Sequence, residues 1–249
     1  MAVSIKSARE IELMREAGRI LASVHDELGK ALKTGMTTLD IDRLGEKLIR
    51  SYGCIPSFKN YNGYPASICV SVNDEVVHGI PSRNRILREG DIVSLDAGVI
   101  YHGYHSDAAR THAIGTITPE AEQLIRVTRE SFFEGIKYAK AGNHLNDISS
   151  AIQAYAERFG YGVVRDLVGH GIGTHLHEDP EVPNFSQKRK GIKLMPGMTL
   201  AIEPMINAGR ADVAWMDDDW TVVTDDGSLS AHYENTVLIT DGEPEILSL

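Results

Sequence analysis

The constraint that most limits how this chain can fold is an internal repeat. Gly35-Met-Thr-Thr-Leu-Asp40-Ile41 resembles Gly142-Asn-His-Leu-Asn-Asp147-Ile148, and each stands eighteen residues before another glycine, Gly53 or Gly160. The same offset of 107 residues relates Gly90 to Gly197 and Asp96 to Glu203, since Gly90-Asp-Ile-Val-Ser-Leu-Asp96 parallels Gly197-Met-Thr-Leu-Ala-Ile-Glu203. A His-Gly-Ile triplet also occurs in each half, at His78 and at His170, though at a different offset. Short glycine-anchored patterns recur by chance, but four anchors sharing one offset point to a duplicated helix–helix–strand unit. The chain, 249 residues long, then reads as one domain of two pseudo-symmetric halves, about 1–115 and 116–249, with a site expected where they meet.

Local signals place the elements of each half. Ser7 and Glu10 form a capping-box pattern ahead of Ile11, Met14, Leu21, Val24 and Leu28 at helical spacing. A second helix is predicted from about Thr38 to Ser51, stopping at Gly53. A third opens at Thr118-Pro119 with proline at the first helical position, and a fourth runs from about Asn146 to Phe159. Short β-like runs lie between them, among them Ser67–Asn73, Ile92–Leu95, Ala108–Ile114, Val163–Val168, Thr199–Ile202, Thr221–Thr224 and Thr236–Thr240.

Composition removes several classes of function. A formal net charge of −10 lacks the basic footprint of a nucleic-acid binder. The basic Lys188-Arg189-Lys190 reads as a solvated loop, with a transient ribosome contact as the alternative. No apolar run approaches the roughly eighteen residues of a membrane span. The start, Met-Ala-Val-Ser-Ile-Lys, has no signal-peptide apolar region. Two cysteines, Cys54 and Cys69, are too few for a disulfide framework and read as structural thiols in a reducing cytoplasm.

The carboxylates point to metal chemistry. Ile92-Val-Ser-Leu-Asp96 is an apolar run ending in aspartate, and a buried carboxylate needs a partner. Alone, Asp96 would be a strand-end residue capping a turn. The turn signal at His102-Gly103, however, implies a hairpin centred near residues 101–102 that sets Asp96 directly opposite Asp107. Cross-strand neighbours lie roughly 4.5–5.5 Å apart, where like charges repel and ask for a cation. Glu203 follows the run Thr199–Ile202, Glu234 borders Thr236-Val-Leu-Ile, and His170 stands among glycines in Gly169-His170-Gly171-Ile172-Gly173. Four carboxylates and one imidazole suit a pair of Mn, Fe(II), Co or Zn ions held about 3.5–4 Å apart. They do not suit a structural zinc site.

These residues resemble a known family. Ser94-Leu-Asp96-Ala-Gly, His105-Ser-Asp107-Ala-Ala-Arg-Thr, Gly169-His170-Gly-Ile-Gly, His177-Glu178-Asp-Pro180, Ala201-Ile-Glu203-Pro204 and Tyr233-Glu234-Asn-Thr236 are similar to the motifs of type I methionine aminopeptidases. The resemblance spans nearly the whole chain. It implies an α+β class and the pita-bread fold, two halves around a curved, mostly antiparallel sheet. It implies a single-domain monomer that removes the initiator methionine from nascent polypeptide N-termini when the second residue is small. Two divalent ions would be held by Asp96, Asp107, His170, Glu203 and Glu234, with Asp107 and Glu234 bridging, and would acidify a shared water. Glu203 would shuttle the proton, His177 would stabilise the tetrahedral intermediate, and His78 would contact the scissile amide nitrogen. Phe58, Tyr61, Tyr64, Cys69, Leu176 and Trp220 would line the methionine pocket, where sulfur–ring contacts suit the side chain. Asn73, Glu75 and Ser230 fall where the family can bind a monovalent cation. Beginning Met-Ala, the chain is expected to lose its own Met1.

Thr174-His175-Leu176 and Phe58 depart from the family pattern, and an extended strand would bring His175 to the face of His177. An X-Pro peptidase shares the ligand set but usually carries an extra N-terminal domain, for which a first helix at Ser7 leaves no room. A type II enzyme usually brings an insertion in the second half. A non-catalytic binding protein on the same fold would be expected to have lost ligands that this chain keeps.

Overall fold

The computed structural model describes residues 3–249; Met1 and Ala2, on which the expected loss of Met1 bears, lie outside them. Helix α1 (Ala8–Ala31) starts where the sequence predicts, with Ser7 and Glu10 capping each other's backbone N–H groups. Helices α2 (Thr38–Ser51) and α3 (Pro119–Ile136) also match, while α4 spans Leu145–Glu157.

The principal strands are β1 (Ile68–Val72), β2 (Ile92–Tyr101), β3 (Tyr104–Ala113), β4 (Gly169–Gly171), β5 (Glu178–Val182), β6 (Thr199–Ile202) and β7 (Glu234–Leu238). The main sheet runs β2-β3-β7-β6-β4-β5, with β1 and Ile55–Pro56 beside β2 and Glu245–Ile246 beside β7. Every pairing in it is antiparallel. Two three-stranded sheets flank it, one of which uses Gly162–Val163. The predicted strand at residues 163–168 is therefore mostly irregular. Val164 still donates to the Met205 carbonyl, but Asp166, Leu167 and Val168 leave the sheet to line a cavity.

Alternation along the strands divides the sheet into two faces. Leu95, Ala97, Val99 and Ala108 pack under α1 and α2 with Leu21, Val24, Leu28 and Ile41. In the second half, Leu200, Ile202, Val237 and Ile239 pack under α3 and α4 with Phe132, Ile148 and Ile152. Both helix pairs thus occupy one face, and the intervening residues, Asp96 and Glu203 among them, turn to the other.

Hydrogen bonding repeats at the offset seen in the sequence. Gly35 donates to the Leu87 carbonyl and Gly142 to that of Leu194, both glycines with positive φ. Leu87 donates back to Met36, and Leu194 to Asn143. The isolated bridges Thr37–Ile86 and His144–Lys193 are likewise 107 residues apart.

The β2–β3 hairpin corrects one expectation. Its turn is the residue pair His102-Gly103, with φ of 47° and 87°, closed by Tyr101 opposite Tyr104. Two positive φ values make the tight turn that matches strand twist, so the hairpin centre lies one residue later than expected. Asp96 consequently faces Ala109 and Asp107 faces Gly98. A two-residue difference in partner keeps both aspartates on one face, as diagonal neighbours rather than a direct pair. Asp96 also sits within the strand, not at its end, because β2 continues to Tyr101.

The C-terminal segment crosses α1 at Gly18, where a β-carbon would lie 2.1 Å from the Leu247 carbonyl oxygen. Alanine is the better helix former by about 1 kcal/mol, yet the helix cannot accept it without displacing that backbone. Gly18→Ala should therefore lower stability by about 1–3 kcal/mol net, as overpacking does. Thermal melting checks this, and a raised melting temperature would place the segment elsewhere.

Candidate metal centre

Five neighbouring strand positions each deliver one polar side chain to the face opposite the helices. Asp96 lies on β2, Asp107 on β3, Glu234 at the start of β7, Glu203 just past β6 and His170 on β4. The register explains their convergence. Ala109 faces both Asp96 and Glu234, Asp107 is two residues from Ala109, and His170 faces Ala201, two residues before Glu203. Paired residues and residues two apart point the same way, so all five side chains share a face.

Side-chain distances agree. Ligand atoms of Asp107, His170 and Glu234 all lie within 4.8 Å of one another. His170 Nε2 is 3.6 Å from Glu203 Oε1 and 4.0 Å from Asp107 Oδ2. Its Nδ1 lies 2.9 Å from the Gly171 carbonyl, which accepts the proton and leaves Nε2 as a lone pair aimed at the carboxylates. Asp96 stands outside the tight trio but close enough to Asp107 that each shifts the other's titration.

Electrostatics identify what the cluster lacks. Burial pushes Asp96 up to about 7. Burial, then the facing carboxylates, push Asp107 and Glu234 well above the usual range, and burial with Asp96 does the same to Glu203. Burial holds His170 down at about 3, neutral and ready to coordinate. Among the described residues no Lys or Arg pairs with any of the four carboxylates, and Asp96 Oδ1 and Glu234 Oε1 are buried without a hydrogen-bond partner. Four carboxylates, one neutral imidazole and unpartnered buried oxygens fit divalent cations bound between them.

A cavity of about 330 Å³ opens onto this cluster. Phe58, Tyr61, Tyr64, Cys69, Leu176 and Trp220 all line it, as the sequence predicts. Tyr64 is fixed by its hydroxyl, which donates to the Ile68 and Gly79 carbonyls, and its ring meets Trp220 edge-on at 5.1 Å. Cys69, on β1 opposite Asp96, is buried and its thiol is pushed up by that burial. Both candidate catalytic histidines reach the same space. His78, held at φ 59°, faces Trp220, and burial lowers it to about 4. His177 lies 4.2 Å from the His170 ring, with its Nδ1 2.7 Å from the Tyr61 hydroxyl.

Other expectations need correction or placing. The His175 side chain is 73% exposed and points to Thr174 and Glu178, away from the cavity, because the chain turns at 173–176 instead of running as a strand. Asn73 and Ser230 do come together, the Ser230 N–H donating to the Asn73 carbonyl at 2.8 Å, while Glu75 accepts from the Val72 N–H. Sequence reasoning missed His232, whose Nε2 is 3.7 Å from Glu203 Oε2. Its place two residues before Glu234 was the available signal, since strand alternation puts both on related faces. Met205, two residues after Glu203, also lines the cavity and was missed.

Comparison with known proteins agrees with this geometry. The model of the metallopeptidase family M24 matches residues 12–241. The methionine aminopeptidase of Clostridium acetobutylicum is 60% identical over 99% of both chains. Methionine aminopeptidase 1 of Bacillus subtilis is 50% identical over 98% of both. The crystal structure of methionine aminopeptidase from Thermotoga maritima superposes with a TM-score of 0.97, at 44% identity and 99% coverage of each chain. The architecture is the pita-bread fold that the sequence leads one to expect. The chain belongs to the metallopeptidase family M24, alongside its short bacterial methionine aminopeptidases.

Proposed function

We propose that this chain is an aminopeptidase that removes the initiator methionine from nascent polypeptide N-termini when the second residue is small. The observation that carries the reading is one cavity with an aromatic, thiol-bearing apolar end and a five-ligand carboxylate–imidazole end. An unbranched thioether side chain suits the first, and peptide hydrolysis suits the second. The ligand set would hold two divalent ions, Mn, Fe(II), Co or Zn, with Asp107 and Glu234 placed between Asp96 on one side and His170 with Glu203 on the other. When bound, the ions would supply Lewis acidity at the scissile carbonyl and acidify water. Asn73, Glu75 and Ser230 are assigned to a monovalent cation on the strength of the resemblance alone.

The protein's own groups account for the remaining chemistry. Glu203, whose Oε1 lies 3.6 Å from His170 Nε2 at the metal end of the cavity, takes the proton of the attacking water and passes it to the leaving amine as the C–N bond breaks. The Tyr61 hydroxyl, donating to His177 Nδ1, fixes the tautomer with a proton on Nε2, which then donates to the developing oxyanion. His78, neutral at physiological pH, faces the amide nitrogen. The two halves, about 1–115 and 116–249, are read as duplicates whose seam forms the site, since their hydrogen bonds recur at one offset. Among the described residues no helix is long and apolar enough to cross a membrane. A cytoplasmic monomer follows from the reading, with Lys188–Lys190 as a solvated loop and a transient ribosome contact there as the alternative.

Loaded with Mn or Co, the protein should release methionine from Met-Ala-Ser peptides and spare Met-Lys and Met-Leu peptides. Equal cleavage of all three would sink the small-second-residue rule. His177→Ala should lower kcat by about 10²–10³, as loss of one transition-state donor does, with metal content unchanged; metal loss would instead make His177 a ligand. Divalent metal should raise the melting temperature of chelator-stripped protein. Asp107→Asn should reduce the metal bound per chain, and an undiminished content would remove Asp107 from the ligand set.

A further inference from the structure

The segment ahead of α1 is tied to the turn that carries Leu176 and His177. Lys6 donates its backbone N–H to the Gly197 carbonyl at 2.8 Å, and Ile5 packs over Gly197. From there its side chain, 5% exposed, runs inward until Nζ lies 2.6 Å from Glu178 Oε2. Ser4 Oγ donates to the same carboxylate oxygen at 2.6 Å and also accepts from Lys6 Nζ. The other oxygen, Oε1, accepts the His175 N–H at 3.1 Å. Glu178 immediately follows His177, so both ends of the turn are held by one carboxylate.

Gly173 shows how closely Lys6 passes. A β-carbon there would lie 2.5 Å from Lys6 Cε and 2.6 Å from Glu178 Oε1. The Gly173 N–H donates to the His175 carbonyl, and its own carbonyl accepts from the His105 N–H on β3. The turn is thereby fixed to the main sheet on one side and to the N-terminal segment on the other. Leu176 enters the apolar end of the cavity and His177 enters the metal end.

We propose that Lys6 is a positioning residue for the active site: its ammonium clamps Glu178 and so sets where the 173–178 turn presents Leu176 and His177. The inference rests on the activity assigned above. Lys6 touches neither the cavity nor any metal ligand, and it acts through Glu178. Burial raises Glu178, but the donors Lys6, Ser4 and the His175 N–H outweigh it and hold the carboxyl at about 2. The clamp is therefore a fixed strut across the physiological pH range.

Lys6→Met keeps the length of the side chain and removes the charge. It should lower kcat on a Met-Ala-Ser peptide by about tenfold or more, the scale at which small misplacements of catalytic groups act, with KM rising less and metal content unchanged. Lys6→Arg should restore most of the rate. In a His177→Ala background, Lys6→Met should cost little further, since residues acting as one unit are not additive. An unchanged kcat in Lys6→Met would overturn the inference, as would the same full loss in both backgrounds. If Lys6→Met does not fold, Ser4→Ala decides: it removes one donor to Glu178 and should show a smaller loss with the same dependence on His177. Failure of the wild-type protein to release methionine would sink the assigned activity itself, whereas an active wild type matched by Lys6→Met sinks only the clamp.

Discussion

Four carboxylates are gathered on one face of a single sheet, and among the described residues no Lys or Arg forms an ion pair with any of them. Asp96, Asp107, Glu203 and Glu234 share that face; burial pushes all four towards the protonated state, and Asp96 pushes Asp107, Glu203 and Glu234 further. A fold that buries such a set carries the repulsion as a standing cost unless ions enter between the oxygens. Much of the rest follows from accommodating it. The helices are confined to the opposite face, the strands under them are apolar on that side, and Arg110 turns away to the Glu234 backbone carbonyl and Asn235.

In the proposed mechanism the histidines divide the work by how their second nitrogens are held. His170 gives its Nδ1 proton to a backbone carbonyl and keeps a lone pair for coordination. His177 Nδ1 lies 2.7 Å from the Tyr61 hydroxyl, and with that hydroxyl as donor the ring proton stands on Nε2. In the proposed mechanism these two imidazoles, with ring centroids 4.2 Å apart, take opposite roles through their outer partners, a backbone carbonyl in one case and a phenol in the other. The same arrangement makes the turn at 173–178 consequential, since it sets one of these rings relative to the other.

Much of this was legible in the sequence because it is local or periodic. The capping box at Ser7, the proline start of α3, and the glycine stops are short-range signals that tertiary packing did not override. The 107-residue offset was legible because glycines with positive φ cannot drift without strain, so their positions survive as markers. The hairpin register was misjudged by one position at its centre, since His102-Gly103 could close more than one loop length. The strand at 163–168 was overextended because an apolar run lining a cavity looks like one lining a core. His232 was missed because its one signal, a place two residues before Glu234, counts only once the chain there is known to run extended back through it.

The sequence by itself determined the donor types, their order, and the glycine and capping signals that start and stop each element. These depend on neighbours within a few residues or on a repeat that can be counted. Only the tertiary structure decided which donors touch. It placed Asp96 diagonal to Asp107, brought His232 against Glu203, turned His175 outward, and drew Lys6 under Glu178 across 172 residues of chain. Such contacts are set by strand register and by close passage of distant backbone, and neither is written in the spacing of residues along the chain.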